Sequence, residues 1–373
     1  ALPIFADFNK PMCTAVFAGT GGIEGPASFA GRRVPKGYGH VFNAKPILLD
    51  DSIGLYRMSS SYESSTLDQY VRDGGGVMGN EAAYSSRSDL LTGTAPSAGY
   101  AKHYSPDGCF RLGSATIYDV TADRKFHDAT TSVASKLVEK MALDAGVSSG
   151  DIDTVSTLGL TAGYYSEGDE TTFLTAMQAV AEGSGLWFGW SRLGKLQIGQ
   201  LTDPVGGSSA ATFLNHQIKE LSSSAPPGFE IPAQRVRLRY QKNWHTLSQV
   251  VGSISLEDKA FFAQEWSVTQ AEDTSIATRH PYAVDFVRDT YSVTLSSWAA
   301  PTTECSRILT LFKADRRLVR MGIPLTAANA VHDLGTILTL QTPDFGLSAG
   351  KKFIVVSHRI DMRTKRIQLG LWG

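Results

Sequence analysis

Leu186-Trp187-Phe188-Gly189-Trp190-Ser191-Arg192-Leu193-Gly194-Lys195-Leu196-Gln197-Ile198 alternates large apolar residues with others, turns at Ser191-Arg192-Leu193-Gly194 and comes back. Leu186, Phe188 and Trp190 share one face and Leu196 and Ile198 answer from the returning arm, so the stretch is a β-hairpin. Just upstream the apolar period lengthens. Phe173, Leu174, Met177, Val180 and Ala181 line one side of a helix over about residues 170–182. Asp169 stands where it can cap the first turn, and Gly183 ends the helix. Further back, Val133, Leu137, Val138 and Met141 mark a helix over residues 131–145, stopped by Gly146. Two amphipathic helices and an apolar hairpin bury one another's faces, so residues 126–203 are expected to form a helix–helix–hairpin α/β unit. Trp187 falls on the opposite face from Phe188 and is the aromatic expected to be available as an exposed contact.

On the N-terminal side, residues 1–125 are dense in Gly, Ser, Tyr and Pro. Short apolar runs at Lys45-Pro46-Ile47-Leu48-Leu49 and Gly54-Leu55-Tyr56-Arg57-Met58 lie between turn signals, and Asp73-Gly74-Gly75-Gly76 is a turn that needs positive φ. This is the pattern of an irregular β-rich domain with long loops. On the C-terminal side, residues 204–373 begin with two breaking segments, Pro204 to Ser209 and Ser222 to Gly228. A period-two strand follows at Arg235-Val236-Arg237-Leu238-Arg239-Tyr240. A helix over 302–314 turns Cys305, Ile308, Leu309 and Phe312 inward. The chain closes on strands at 317–325, 336–341, 352–358 and 366–372. The fold class is therefore α+β, mostly β, in three domains: 1–125, 126–203 and 204–373.

Composition narrows the function. The 373 residues carry 35 basic and 36 acidic side chains, so no global field draws in nucleic acid or an anionic membrane. Cys13, Cys109 and Cys305 are three, an odd number with no CxxC spacing, which gives no support to a disulfide framework, a zinc site or an iron–sulfur site. The first residues, Ala1 to Asp7, lack a basic region and an apolar stretch, so no signal peptide is expected, and no run reaches the ~18 apolar residues of a membrane span. A chain made in the cytoplasm, without stable membrane insertion, is expected.

The strings that mimic catalytic motifs fail their context tests. Gly19-Thr20-Gly21-Gly22-Ile23-Glu24-Gly25 would need a strand before it and a helix after it to hold a dinucleotide, and Pro26, Gly31 and Pro35 deny it the helix. Glu167, Asp169 and Glu170 share one solvated turn at a helix start, where carboxylates favour the helix dipole, whereas glycoside hydrolysis needs two carboxyls across a cleft. Gly146-Val147-Ser148-Ser149-Gly150 and Gly346-Leu347-Ser348-Ala349-Gly350 fit GxSxG, but one follows a helix and the other leads into a strand, so both read as turns. The eight histidines form no HExxH and no His–Cys cluster; His245, His280 and His358 are isolated. No catalytic, cofactor-binding or metal-ligating residue is therefore assigned, and no enzyme activity and no cofactor are expected. Basic residues gather at Arg316, Arg317 and Arg320 and at Arg359, Arg363, Lys365 and Arg366. They are either solvated strand edges or a site for an acidic partner or DNA.

Several strings resemble one family. Gly19 to Gly25 followed by Phe29-Ala30-Gly31-Arg32 and Pro35 is similar to a segment of large phage tail proteins. So are Gly39-His40-Val41-Phe42-Asn43-Ala44-Lys45-Pro46 and Phe110-Arg111-Leu112-Gly113 with Thr121-Ala122-Asp123. Gly185 to Leu196, Phe353-Ile354-Val355-Val356 and Leu369-Gly370-Leu371-Trp372-Gly373 look like the same family. The family is that of tail-tip or baseplate hub proteins of long-tailed bacteriophages and gene transfer agents, and the resemblance spans nearly the whole chain in order. It implies tube-like β-barrel domains and a structural virion protein at the tail tip. Such a protein would close the tail tube as a homotrimer, contact the distal tail protein, the tape measure and fibres, and serve genome ejection with possible passage of DNA through its lumen. Neither an enzymatic nor a fibre-bearing extension of the longer relatives is recognisable, so a separate fibre or receptor-binding protein is expected to attach. The alternatives are a tail-tip adhesin for host-surface carbohydrate, marked by exposed aromatics in a groove on the first domain, and a cell-wall hydrolase.

Overall fold

The computed structural model describes residues 8–60, 69–127, 130–226, 231–289 and 299–373. The opening residues 1–7 and the Pro227-Gly228 end of the second breaking segment lie outside them. The molecule is mostly β with a minority of helix, as expected from the alternation.

The N-terminal strands are β1 (Lys36–Ala44), β2 (Ile47–Asp50), β3 (Leu55–Arg57), β4 (Gln69–Asp73), β5 (Gly76–Val77), β6 (Gly79–Asn80), β7 (Tyr100–Tyr104), β8 (Cys109–Leu112), β9 (Val120–Lys125) and β10 (Gly163–Ser166). They make two five-stranded sheets, β10-β1-β9-β4-β5 and β2-β3-β8-β7-β6. Val71 and Val120 of the first pack on Ala101, Phe110 and Leu112 of the second. The long connections are held by buried arginines. Arg57 donates to the carbonyls of Ile23 and Ser59, and Arg111 to those of Ile53, Leu90 and Gly93. Each guanidinium satisfies loop carbonyls that no ladder reaches, which lets a loop-rich unit hold one shape.

Helices α2 (Ala134–Asp144) and α3 (Phe173–Gly183) pair, with α1 (Arg87–Thr92) a short turn in the N-terminal unit. Leu137, Val138 and Met141 meet Ala176, Met177 and Val180, and Leu186 and Leu196 of the hairpin β11 (Leu186–Trp190) and β12 (Leu196–Gln200) close the cluster. Each Leu, Val and Met of this set contributes about 1.5–3 kcal/mol by burial. The same core takes in Phe8, Met12 and Tyr38 from the N-terminal segment, and β10 joins β1, so the helical unit and the first sheet share both core and ladder. The α3 cap differs from expectation. Thr172, not Asp169, accepts from the backbone of Thr175, while Asp169 closes the turn before it through Thr171 and Ser166. Thr at position 172 suits the N-cap as well as Asp does, and it sits one residue before the first helical residue.

The C-terminal strands are β13 (Ala211–Leu214), β14 (Glu220–Ser224), β15 (Ala233–Tyr240), β16 (Ser267–Glu272), β17 (Val284–Asp289), β18 (Leu318–Pro324), β19 (Ile337–Gln341), β20 (Lys351–Asp361) and β21 (Arg366–Trp372). Three of them form a small sheet, β16-β15-β17. Helix α6 (Ala299–Phe312) covers it, with Cys305, Ile308, Leu309 and Phe312 inward, as the sequence implied; α4 (Leu256–Phe262) and α5 (Ser275–Arg279) are short. The other six strands form a sheet of order β13-β19-β20-β21-β18-β14. Its end strands do not pair with each other, so the expected barrel is present as an open half-barrel. Ser222, Ser223 and Ser224, read as part of a breaking segment, lie in β14 instead. A serine run makes a strand here because β18 supplies a complete antiparallel partner, Ser222 opposite Arg320 and Ser224 opposite Leu318. Residues 241–262 reach back to the first sheet, where Asn43 donates to Asn243 and Trp244 packs edge-on against Tyr164 and Tyr165.

Candidate functional site

The half-barrel has two unlike faces, and period-two alternation decides both. Val319, Met321, Ile323, Val355, Ile367, Leu369 and Leu371 point to one side and form a dry core with Phe213, Leu338, Leu340 and Phe353. The other side is polar and open. Across β14, β18, β21 and β20 it carries two consecutive rows: Glu220, Gly322, Gln368, Arg359 and then Ser222, Arg320, Gly370, Ser357. A groove of about 770 Å³ lies over these rows. Its floor is low because Gly322 and Gly370 contribute no side chain. A Cβ at Gly370 would come within 2.2 Å of the Ser357 hydroxyl, and one at Gly322 within 3.1 Å of the Glu220 Cβ.

Charge in this groove is positive on balance. Arg320 and Arg359 are exposed and, among the described residues, neither is in an ion pair. Arg366 and Glu220 pair at 2.5 Å across the end of the sheet. Arg363 and Lys365 follow in the β20–β21 turn. The two arginines of the rows stand on β18 and β20, two strands and two residues apart, so their Cα atoms are about 12 Å from each other.

The structure thus splits the two basic clusters of the sequence. Arg316 is interior: its guanidinium bonds Asp203 at 3.0 Å, donates to the Leu311 carbonyl and lies 4.8 Å over the Trp372 ring. The Arg316 hydrogen bonds hold the Asp203 carboxyl below its ordinary value. Arg317 donates to the Phe345 carbonyl. Burial, with Arg317 and Arg316 close by, pulls the Lys351 ammonium below its ordinary value. Arg320, Arg359 and Arg366 face the groove instead.

The remaining singled-out residues sit apart from it. In the loop Gly19–Gly25, Gly19, Gly21, Gly22 and Gly25 all have positive φ, and the loop holds one single-turn 3-10 helix and leads into another rather than into an α-helix. Both GxSxG strings are turns, with Gly146, Gly346 and Gly350 at positive φ. His245 bonds Asp119 at 3.2 Å, His358 lies 3.4 Å from Asp333, and His280 follows α5. All three cysteines are buried and unpaired, and burial pushes the Cys109 thiol up to about 12. Phe188 and Trp190 pack on the helical core, as expected. Trp187 is not an open contact. Its ring lies on Gly199 and against Gly335, where a Cβ would come within 2.4 and 3.0 Å, so it joins the hairpin to the half-barrel. Among the described residues no group of three His, Cys, Asp or Glu side chains could hold a metal, and no helix is long and apolar enough to cross a membrane.

Sequence reading found Arg320, Arg359 and Arg366 but missed Glu220, Ser222, Ser357, Gln368, Gly322 and Gly370. A signal was there. Met321-Gly322-Ile323 and Leu369-Gly370-Leu371 put glycine between core residues on strands that pair in register, which marks a furrow on the outward face.

No protein-family profile and no curated protein matches the sequence. Solved structures do. The chain is similar to a chain in the virion of the native gene transfer agent particle, at 15% identity over 92% of this chain and 84% of that one, with TM-score 0.50. It is also similar to the tail protein of Neisseria meningitidis MC58 (12% identity, 90% and 97% of the two chains, TM-score 0.39). A third is the 43 kDa tail protein of prophage MuSo2 from Shewanella oneidensis (9% identity, 92% and 96%, TM-score 0.37). The first likeness establishes a shared fold across nearly the whole chain.

Proposed function

We propose that this chain is a non-enzymatic structural protein of a tailed virion, placed at the tail tip as a hub that closes the tail tube and links it to fibre or receptor-binding proteins. The observation that carries the reading is the fold shared with a gene transfer agent virion chain over 92% of the sequence. The open half-barrel supports it. Its end strands β13 and β14 each leave one backbone edge unpaired within the sheet, and a ring of copies or other tail subunits would complete those ladders. Homotrimerisation, contacts with the distal tail protein, the tape measure and fibres, and a part in genome ejection belong to this proposal, as does the division at residues 125/126 and 203/204.

The test is imaging of purified particles labelled with an antibody to this chain, together with native mass measurement of the assembled tip. Label at the tail end and copy numbers in multiples of three are expected. Label absent from particles, or a lone monomer that turns over a substrate, would overturn the reading.

A further inference from the structure

The groove on the half-barrel has a chemistry of its own. By strand alternation Glu220, Ser222, Arg320, Ser357, Arg359 and Gln368 turn their side chains to it, over a floor of Gly322, Gly370 and the backbone of Leu221, Met321, His358 and Leu369. We propose that this face binds the phosphodiester backbone of double-stranded nucleic acid without reading sequence. The proposal deepens the structural reading above and rests on it for where the duplex comes from.

Three observations select that ligand. First, the charge is local. Arg320, Arg359, Arg363, Lys365 and Arg366 stand against Glu220 and Asp361 on this face and its end turn, in a chain whose formal net charge is −1. The groove is therefore a positive island rather than part of a general field. Second, the donors are of the right kind. Guanidinium, serine hydroxyl and glutamine amide are the groups that meet phosphate oxygens in backbone-positioning contacts. Of the two opposing carboxylates, Glu220 pairs with Arg366 at 2.5 Å and Asp361 lies at the end turn, where it accepts from the backbone of Arg363 and Thr364. Third, what is missing from the lining points the same way. Among the described residues that line the groove the one ring is His358, whose Nδ1 lies 3.4 Å from Asp333, and Met321, Leu369 and Leu221 pack into the dry core, so the groove presents neither a stacking platform for single-stranded bases nor an apolar anchor for a peptide. Two arginines about 12 Å apart over a low glycine floor can engage phosphates on both sides of a convex duplex.

The experiment is binding of a fluorescent mixed-sequence DNA duplex to the full-length protein, read by anisotropy over a salt series. Wild type is expected to bind with a steep salt slope and no preference between two unrelated duplexes. The Arg320→Gln/Arg359→Gln double variant is expected to bind at least tenfold more weakly at 50 mM salt. Its slope should be shallower by about two, since each lost phosphate contact removes about 0.9. Both side chains are exposed, so the variant should fold as wild type does, checked by its thermal melt. Ser222→Glu, which adds a negative charge to the same rows, should weaken binding as well. Arg279→Gln, at an exposed arginine elsewhere, should change nothing. Equal slopes for wild type and double variant, or no binding by wild type, would overturn the proposal. Displacement by polyglutamate at lower charge concentration than by unlabelled duplex would overturn it in favour of an acidic polypeptide. None of these readouts needs assembly, so a negative result here leaves the copy-number test of the tail reading standing.

Discussion

The helix–helix–hairpin unit and the six-stranded half-barrel solve opposite problems. In the first, the apolar faces of both helices and of the hairpin meet one another within the same chain. α2 covers α3, the hairpin covers both, and Phe8, Met12 and Tyr38 fill what is left. In the second, one face is as dry as the helical core, while the other face and both end strands stay open. Closed packing supplies stability. An open ladder and an uncovered charged face supply places for something else to bind. The contrast predicts that substitutions in the helical unit act on folding, whereas substitutions on the open face act on association and leave folding alone.

The sharpest blow to the closed region is Phe173→Ala. Phe173 is 1% exposed at the first turn of α3, and its removal should cost about 3–5 kcal/mol in a urea titration. A cost below ~1 kcal/mol would show that the unit is loosely packed and would erase the contrast. The next effect lies where the two kinds of arginine diverge. Arg316→Gln should destabilise by about 2 kcal/mol, because it removes charged hydrogen bonds to Asp203 and the Leu311 carbonyl and the stem packed over Trp372. The effect is pH-dependent. Arg316 depresses the Asp203 pKa in the folded state, so that stabilisation is full above the ordinary carboxylate value of about 4 and is lost as pH falls through the folded value. The gap between wild type and Arg316→Gln should therefore narrow in urea titrations below about pH 4.

How much of this could be read in advance follows the same division. The helical unit was legible because its residues contact sequence neighbours at fixed spacing: Leu137, Val138 and Met141 on one helix, Phe173, Met177 and Val180 on the next, and the Leu186–Trp190 arm after them. The tail strands were legible by their alternation. The groove was not, because its rows join residue 220 to 322, 368 and 359, and no local pattern encodes which strands will be neighbours. The breaking segment around Ser222 failed for the same reason, since β14 is a strand only because β18 is beside it. Trp187 was placed on the correct face of its hairpin, but the half-barrel residue Gly335 that covers it is remote in sequence.

The two regions are coupled through Asp333, which accepts from the Arg192 backbone of the hairpin turn at 3.0 Å and lies 3.4 Å from His358 of β20. Asp333→Ala should cost about 1 kcal/mol, and hydrogen exchange should quicken at the 191–195 turn with α2 and α3 unchanged. Equal quickening throughout the helices would mean that the closed unit depends on the half-barrel for its stability.

The smallest effect is the most informative about the open face. Arg320→Gln should change the unfolding free energy by less than about 0.5 kcal/mol, since its side chain is exposed and, among the described residues, holds no carboxylate. Arg316 and Arg320 are four residues apart and identical in composition, yet one is enclosed by Asp203, Leu311 and Trp372 and the other points at solvent across Gly370. An exposed arginine beside a glycine furrow, with a second one across it and no ion pair on either among the described residues, is what the proposed binding face requires. If Arg320→Gln instead destabilised as much as Arg316→Gln in the same urea titration, the open face would be structural and its charge would need no partner to explain it.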